Sequence, residues 1–160
     1  MLLGIISDTH DDMEAIKKVV EFFNRKDVSH VLHAGDIVSP FTFEVLGGLK
    51  AGFSGIFGNN DGDRLLLTNK SRGRLQPQPL MAELGGKRIV VLHEPDLAEP
   101  LAESGRFDIV IYGHTHRPDV RKIDHTLIIN PGKAARLHKG KSTLALLDTE
   151  KMGVEIIEIF

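Results

Sequence analysis

The sequence predicts a mixed α/β domain, with an α/β front half and a β-rich back half. Strand-length apolar runs alternate with helical segments over residues 1–60, in the order strand–helix–strand–helix–strand. That alternation argues for a parallel sheet with right-handed crossovers. Further on, two-residue junctions such as Gly85-Gly86 and Asp124-His125 separate paired strand-like runs, as hairpin turns do. The chain has 160 residues, of which 41% are hydrophobic. Such a chain can bury a sizeable core, and one domain spanning residues 1–160 is expected.

Residues 2–7 are a continuous apolar run that reads as a strand buried on both faces. Residues 12–24 place Met13, Ile16, Val19, Val20 and Phe23 on one helical face. Asp11 or Asp12 can cap that helix and Asn24 can end it. A strand follows over His30–Ala34 and leaves through Gly35-Asp36. Ser39-Pro40 matches an N-cap followed by proline at the first helical position, and the helix stops at Gly47-Gly48. The third strand runs from about Ala51 to Phe57 and exits through Gly58-Asn59. Residues 64–79 lack acidic groups and contain Pro77 and Pro79, so they read as a loop with one helical turn. Strands are expected at 80–84, 87–92, 108–112, 119–123, 126–130, 143–148 and 153–159, with a short helix near 97–104. Phe22, Phe23, Phe41, Phe43, Phe53 and Phe57 read as core.

Composition excludes several functions. The 20 basic and 22 acidic residues nearly balance, so no strong field draws nucleic acid or an anionic membrane. Nucleic acid is therefore not expected as a stable partner. The absence of cysteine removes disulfides, thiolate zinc sites and a thiol nucleophile. No run approaches the ~18 apolar residues of a membrane span, and no signal peptide is visible, so a cytoplasmic location is expected.

Candidate ligands stand at five places: Asp8 and His10, Asp36, Asn59, His93, and His114 with His116. Each follows an expected strand. In parallel α/β sheets the carboxyl ends of strands converge on one edge, where ligands bind. Glycine just before Asp36, Asn59 and His114 permits a sharp turn and close backbone approach. Imidazole, carboxylate and amide donors together favour Mn, Fe, Zn, Co or Ni over Ca or Mg. Seven ligands exceed one tetrahedral zinc and suit two ions sharing a carboxylate, for which Asp36 is the natural bridge. Two such ions bind phosphate oxygens, lower the pKa of a bridging water so that hydroxide exists near neutral pH, and stabilise an in-line displacement. The expected activity is therefore phosphoester hydrolysis without a side-chain nucleophile, with Asp36 a catalytic group as well as a ligand.

Asp-x-His, Gly-Asp, Gly-Asn, a lone histidine after a strand, and Gly-His-x-His occur in that order between residues 8 and 116. This pattern resembles the calcineurin-like metallophosphoesterase superfamily. Asn130-Pro131-Gly132 and the short chain are most similar to its small YfcE-type phosphodiesterases. The resemblance implies a four-layer α-β-β-α sandwich, two mixed sheets packed face to face with helices outside. It implies a first metal on Asp8, His10, Asp36 and His116 and a second on Asp36, Asn59, His93 and His114. Two divalent ions are implied, Mn²⁺ foremost with Fe, Ni, Zn or Co as alternatives, together with a small phosphoester substrate and a homodimer or homotetramer. A scaffold role is the alternative, because one relative in an endosomal coat complex keeps the fold as a partner-binding surface.

Three positions depart from the family pattern. Asn60 stands where many members have histidine; it is assigned to catalysis and substrate contact, but an amide cannot act as a general acid. Slow turnover with strong leaving-group dependence is expected. Glu94 replaces a usual glycine and adds length and charge near the metals. Lys133 replaces a usual serine, offers a cation to phosphate or to solvent, and is assigned to substrate binding. Of the other polar residues, His33 reads as a core residue or a support behind the ligands, and His30, His125 and His138 as surface. Asp61 and Asp63 cap or shape the loop after Asn60, and Arg64–Arg74 is a solvated basic face.

Overall fold

The structure, a computed structural model, describes residues 1–137 and 139–160, so the surface expectation for His138 lies outside the described residues. Strand β1 (Leu2–Ile6) is followed by helix α1 (Met13–Lys26) and β2 (His30–His33). A 3-10 turn over Pro40–Thr42 leads into α2 (Phe43–Leu46), then β3 (Gly52–Ile56), α3 (Arg64–Lys70) and β4 (Leu75–Gln76). The back half contains β5 (Leu80–Leu84), β6 (Lys87–Val91), α4 (Ala98–Glu103), β7 (Ile109–Ile111), β8 (Pro118–Ile123), β9 (Thr126–Pro131), β10 (Thr143–Asp148) and β11 (Gly153–Glu158). No described helix is long and apolar enough to cross a membrane.

The first sheet has the order β11-β10-β1-β2-β3-β4 and the second β5-β6-β7-β9-β8. Strands β1 to β4 run parallel, whereas β10 and β11 close the sheet edge antiparallel. In the second sheet β6, β7 and β9 run parallel between two antiparallel edges, β5 and β8. Period-two alternation sorts side chains between layers. Leu3, Ile5, Leu32 and Ile56 meet Ile89, Val91, Ile109 and Ile129 between the sheets. Ile6, Val31 and Phe53 face the other way, against Ile16, Val19 and Phe23 of α1. Val90, Val110 and Ile128 cover Ala98 and Ala102 of α4. The layers are therefore helix, sheet, sheet, helix, as the resemblance implies.

The α1 face forms for the expected reason. Asp12 caps it by accepting from the Ala15 N–H at 3.1 Å. Each fully buried Ile, Val or Phe on this face contributes roughly 2–3 kcal/mol of apolar burial. The helix does not end at Asn24; it runs to Lys26 and closes at left-handed Asp27, whose N–H bonds the Phe23 carbonyl. Asn24 instead ties the α2–β3 turn, donating to the Gly48 carbonyl and accepting from the Lys50 N–H, both at 2.9 Å.

Three other expectations are corrected. Residues 64–79 contain the seven-residue helix α3 and the short strand β4. Asp63 caps α3, accepting from the Leu66 N–H at 3.0 Å, and Leu67 alone of its residues is buried. Phe41 is 47% exposed and not core, because the 3-10 turn points it outward. His30 is half-buried, with its Nε2 3.0 Å from the Ser54 hydroxyl, whereas His125 is exposed as expected.

Candidate metal centre

The carboxyl ends of β1, β2, β3, β6 and β7 meet at one edge of the sandwich, and the loops leaving them carry all seven expected ligands. Asp8 Oδ1 lies 3.2 Å from His116 Nε2 and 3.6 Å from His10 Nε2. The two imidazole nitrogens are themselves 3.3 Å apart. Asp36 Oδ2 lies 3.6 Å from His10 Nε2 on one side and 3.4 Å from His93 Nε2 on the other. Asn59 Oδ1 sits 2.9 Å from His93 Nε2 and 3.0 Å from His114 Nδ1. Two groups, Asp8-His10-His116 and Asp8-Asp36-His93, have donor atoms all within 4.8 Å of one another.

The donor chemistry fits cations. Asp8 Oδ1 is buried and receives no hydrogen bond, an arrangement that costs free energy unless a cation compensates it. His93 Nδ1 contacts the Ala34 carbonyl at 2.7 Å; a carbonyl only accepts, so Nδ1 carries the proton. That fixes the tautomer and turns the Nε2 lone pair toward Asn59 Oδ1 and Asp36 Oδ2, three acceptors facing one another. A proton on Nε2 satisfies them in the metal-free chain, and a divalent ion satisfies the same donors.

The titration behaviour follows from this crowding. Burial alone would lower the His93 imidazolium, but the Asp36 carboxylate, the Ala34 carbonyl and the charge of Asp8 outweigh it and push the pKa up to about 9. Burial would raise the Asp36 carboxyl; hydrogen bonds from His93 and Asn60 outweigh it and hold the group well below the usual carboxylate range. For Asp8 burial likewise raises, but the adjacent His10 and Ser7 and the charges of His93 and His116 leave it lowered. Asp8 raises His10 in turn, against a smaller opposing effect of burial.

The loops are strained to achieve this. Asp8, His10, Asp36, His114 and His116 all adopt positive φ, between 38° and 64°. These candidate ligands themselves turn left-handed, at a cost that surrounding contacts must offset. Two of the glycines noticed in the sequence serve close approach instead. A Cβ at Gly58 would sit 2.2 Å from Asp36 Oδ1, and one at Gly113 would sit 2.0 Å from Ser7 Oγ and 3.0 Å from Asp8 Oδ2.

Supporting residues lie directly behind the candidate ligands. Asp61 is buried and accepts from three backbone N–H groups: Val38 at 2.6 Å, Gly58 at 2.7 Å and Asp36 at 3.0 Å. It is a clamp joining the Asp36 and Asn59 loops. Burial raises its carboxyl, the Gly58 and Val38 bonds oppose this, and the Asp36 charge adds to it. His33 is fully buried. Its Nδ1 accepts from the Gly35 N–H, so its Nε2–H donates to Thr9 Oγ1 at 3.1 Å. The Thr9 hydroxyl in turn donates to the Asp36 carbonyl at 3.4 Å. Burial lowers the His33 pKa to about 3, against the charges of Asp8 and Asp36. Asn130 donates to the Gly113 carbonyl and Thr115 Oγ1 and accepts from Gly132, which explains the Asn-Pro-Gly motif as a brace for the Gly-His-x-His loop.

The three departures resolve unequally. Asn60 is exposed and donates twice to Asp36, through its backbone N–H at 2.8 Å and its Nδ2 at 2.7 Å. Glu94 accepts from Gln78, whose Oε1 accepts from the His93 N–H at 2.7 Å. Sequence reasoning missed Gln78, since nothing local marks a glutamine between prolines as a support. Lys133 does not face phosphate or solvent: it is fully buried and its ammonium donates to the Ala135 carbonyl at 2.9 Å. Its assignment to substrate binding is corrected accordingly. In the basic stretch, Arg64 is a tether, donating to the Asp61 and Gly58 carbonyls.

Face-to-face mixed sheets with nitrogen and oxygen donors gathered at strand ends define a protein of the α-β-β-α sandwich class with a candidate metal centre. Residues 1–152 match the calcineurin-like phosphoesterase superfamily domain, and the chain belongs to that superfamily. It is 36% identical over 157 residues to phosphodiesterase MJ0936 of Methanocaldococcus jannaschii, covering 94% of this chain and 95% of that protein. A solved structure described as a novel archaeal phosphodiesterase superposes with a TM-score of 0.94 at 34% identity, covering 99% of this chain and 100% of that one. YfcE, a phosphoesterase from E. coli, shares the fold at 19% identity with a TM-score of 0.73 over 100% of both chains.

Proposed function

We propose that this protein is a phosphodiesterase working through two divalent ions, Mn²⁺ foremost. The observation that carries the reading is Asp36 Oδ2, a single carboxylate oxygen 3.6 Å from His10 Nε2 and 3.4 Å from His93 Nε2, facing both ligand sets at once. Membership of a phosphoesterase superfamily and likeness to named phosphodiesterases support the chemistry. In this reading Asp8, His10, Asp36 and His116 hold one ion and Asp36, Asn59, His93 and His114 the other.

When bound, the ions supply the Lewis acidity that activates water for in-line attack and neutralises charge on the phosphoryl oxygens. The chain's own residues do the rest. Asp36 bridges. The Ala34 carbonyl keeps His93 in the ligating tautomer. Asp61 and Asn130 hold the loops in register. Asn60 contributes hydrogen-bond donors beside Asp36 but has no proton to give a leaving group. The scaffold alternative loses ground because every expected ligand faces the cluster.

Hydrolysis of bis(p-nitrophenyl) phosphate with added Mn²⁺, compared with His116→Ala, tests the reading. The account expects Mn²⁺-dependent turnover that the substitution reduces by about a hundredfold or more. Equal rates in both proteins would place the activity elsewhere.

A further inference from the structure

Beside the proposed centre, on the His116 side, lies a cleft of about 560 Å³ between the His116–Pro118 segment and residues 139–143. His116, one of the candidate ligands, forms part of its lining, so the cleft borders the cluster. Arg117, Lys139 and Lys141 line it with one acidic residue, Glu158. Lys141 is paired with Glu158 at 2.6 Å. Arg117 and Lys139 are exposed, and no hydrogen bond or ion pair engages either among the described residues. Three cations and one anion leave a local surplus of two positive charges in a chain whose formal net charge is −2. Concentrating unpaired cations in one cleft beside a candidate metal site, against the overall charge, raises the local potential for anions and costs self-repulsion when no anion is present.

We propose that this cleft is a subsite for a second anionic group of the substrate, so that the protein acts on phosphoesters carrying a further phosphate. The inference rests on the phosphodiesterase reading and adds the substrate class. Arg117 offers a planar fork matched to phosphate oxygens, and Lys139 a point charge on a flexible stem in the same cleft. Two other clefts near the candidate ligands lack this character. Beside His10, the Arg136 guanidinium is already held by Asp12 and Glu14. Beside Glu94 the lining is largely apolar, from Pro79, Met81, Leu92 and Leu97. The cleft holds about 560 Å³ and two unpaired cations, which suits one additional phosphate and not a long polyanion.

The test compares the p-nitrophenyl ester of thymidine 5′-phosphate with the same ester bearing a 3′-phosphate, on the Mn²⁺-loaded protein at low and high salt. Two exposed charge contacts predict a kcat/KM ratio of about ten in favour of the 3′-phosphorylated ester. That ratio should fall toward one in the Arg117→Ala/Lys139→Ala variant and at high salt, where exposed charges are screened. A ratio near one in the unaltered protein, or one that the double substitution leaves unchanged, overturns the subsite. Calorimetric binding of thymidine 3′,5′-bisphosphate against thymidine 5′-phosphate gives a second readout independent of turnover. Tighter binding of the bisphosphate that depends on Arg117 and Lys139 supports the subsite; equal binding rejects it. If neither ester is hydrolysed, the phosphodiesterase reading fails, and the binding comparison still judges the cleft.

Discussion

Asp61 contacts no candidate ligand side chain through its carboxylate, yet its removal should disable the centre. The carboxylate holds the N–H groups of Asp36, Val38 and Gly58 at 2.6–3.0 Å. Asp36 and Val38 are in left-handed backbone, at φ 60° and 85°, and a β-branched residue there is strained. Asp61→Ala leaves three N–H groups without their acceptor in a buried pocket. At about 1–3 kcal/mol for each unmade bond, less what is recovered by no longer burying a carboxylate, the net loss is about 3 kcal/mol. Asp61→Asn keeps one oxygen. Placed on Asp36 and Gly58, that oxygen leaves the amide NH₂ facing the Val38 N–H, donor against donor, for a loss of about 1–2 kcal/mol. Urea unfolding of the metal-free proteins should therefore rank unaltered protein above Asn above Ala. Mn²⁺ affinity, measured by calorimetry where each variant is folded, should fall about ten- to a hundredfold, as when other groups orienting metal ligands are removed. An Ala variant within about 1 kcal/mol of the unaltered protein, or one that keeps its Mn²⁺ affinity, would refute the clamp.

Other consequences follow from the same geometry. The His93 pKa, about 9 in the metal-free chain, is raised above its ordinary 6.5. Its proton therefore stabilises the metal-free fold fully below about pH 6.5, and that stabilisation is lost as pH rises through about 9. Mn²⁺ must displace this proton, so apparent affinity should rise from pH 7 to pH 9 with proton release seen as buffer-dependent calorimetric heats; heats independent of buffer would contradict it. His33 is shifted the other way, to about 3, so its neutral burial stabilises the fold above pH 6.5 and is lost as pH falls. Between pH 6.5 and 5 the unaltered protein should lose roughly 2 kcal/mol more than His33→Asn in urea unfolding, and parallel losses would show that His33 stays protonated or solvated. Because Asn60 cannot protonate a leaving group, rates across aryl phosphodiesters should rise steeply as the phenol pKa falls; a flat profile with chemistry rate-limiting rejects this.

The candidate ligand positions were legible because each follows an apolar run whose strand character is local. Leu2–Ile6 before Asp8 and Lys87–Val91 before His93 are strands within a residue or two of expectation. Their convergence follows from parallel pairing of β1, β2 and β3, which alternation with helices already implies. Features set by tertiary contact were not legible. Helix α3 leaves Leu65 76% exposed and buries only Leu67, so periodicity barely registers it; the Asp63 cap and the Arg64 tether hold it. Lys133 reads as a surface cation by type, and only the fold shows that its ammonium ends on the Ala135 carbonyl. Asp61 reads as a turn former, and its three-fold clamp exists only once the loops after β2 and β3 lie side by side. Arg117 and Lys139, separated by 22 positions, line one cleft only when the segments before β8 and β10 meet.

Anomalous X-ray diffraction from crystals of the Mn²⁺-loaded protein would show whether one carboxylate serves two ions. Two manganese peaks about 3.5–4 Å apart are expected, with the Asp36 carboxylate in contact with both. A single peak, or a pair of which one lies beyond reach of Asp36, would contradict the shared-carboxylate centre.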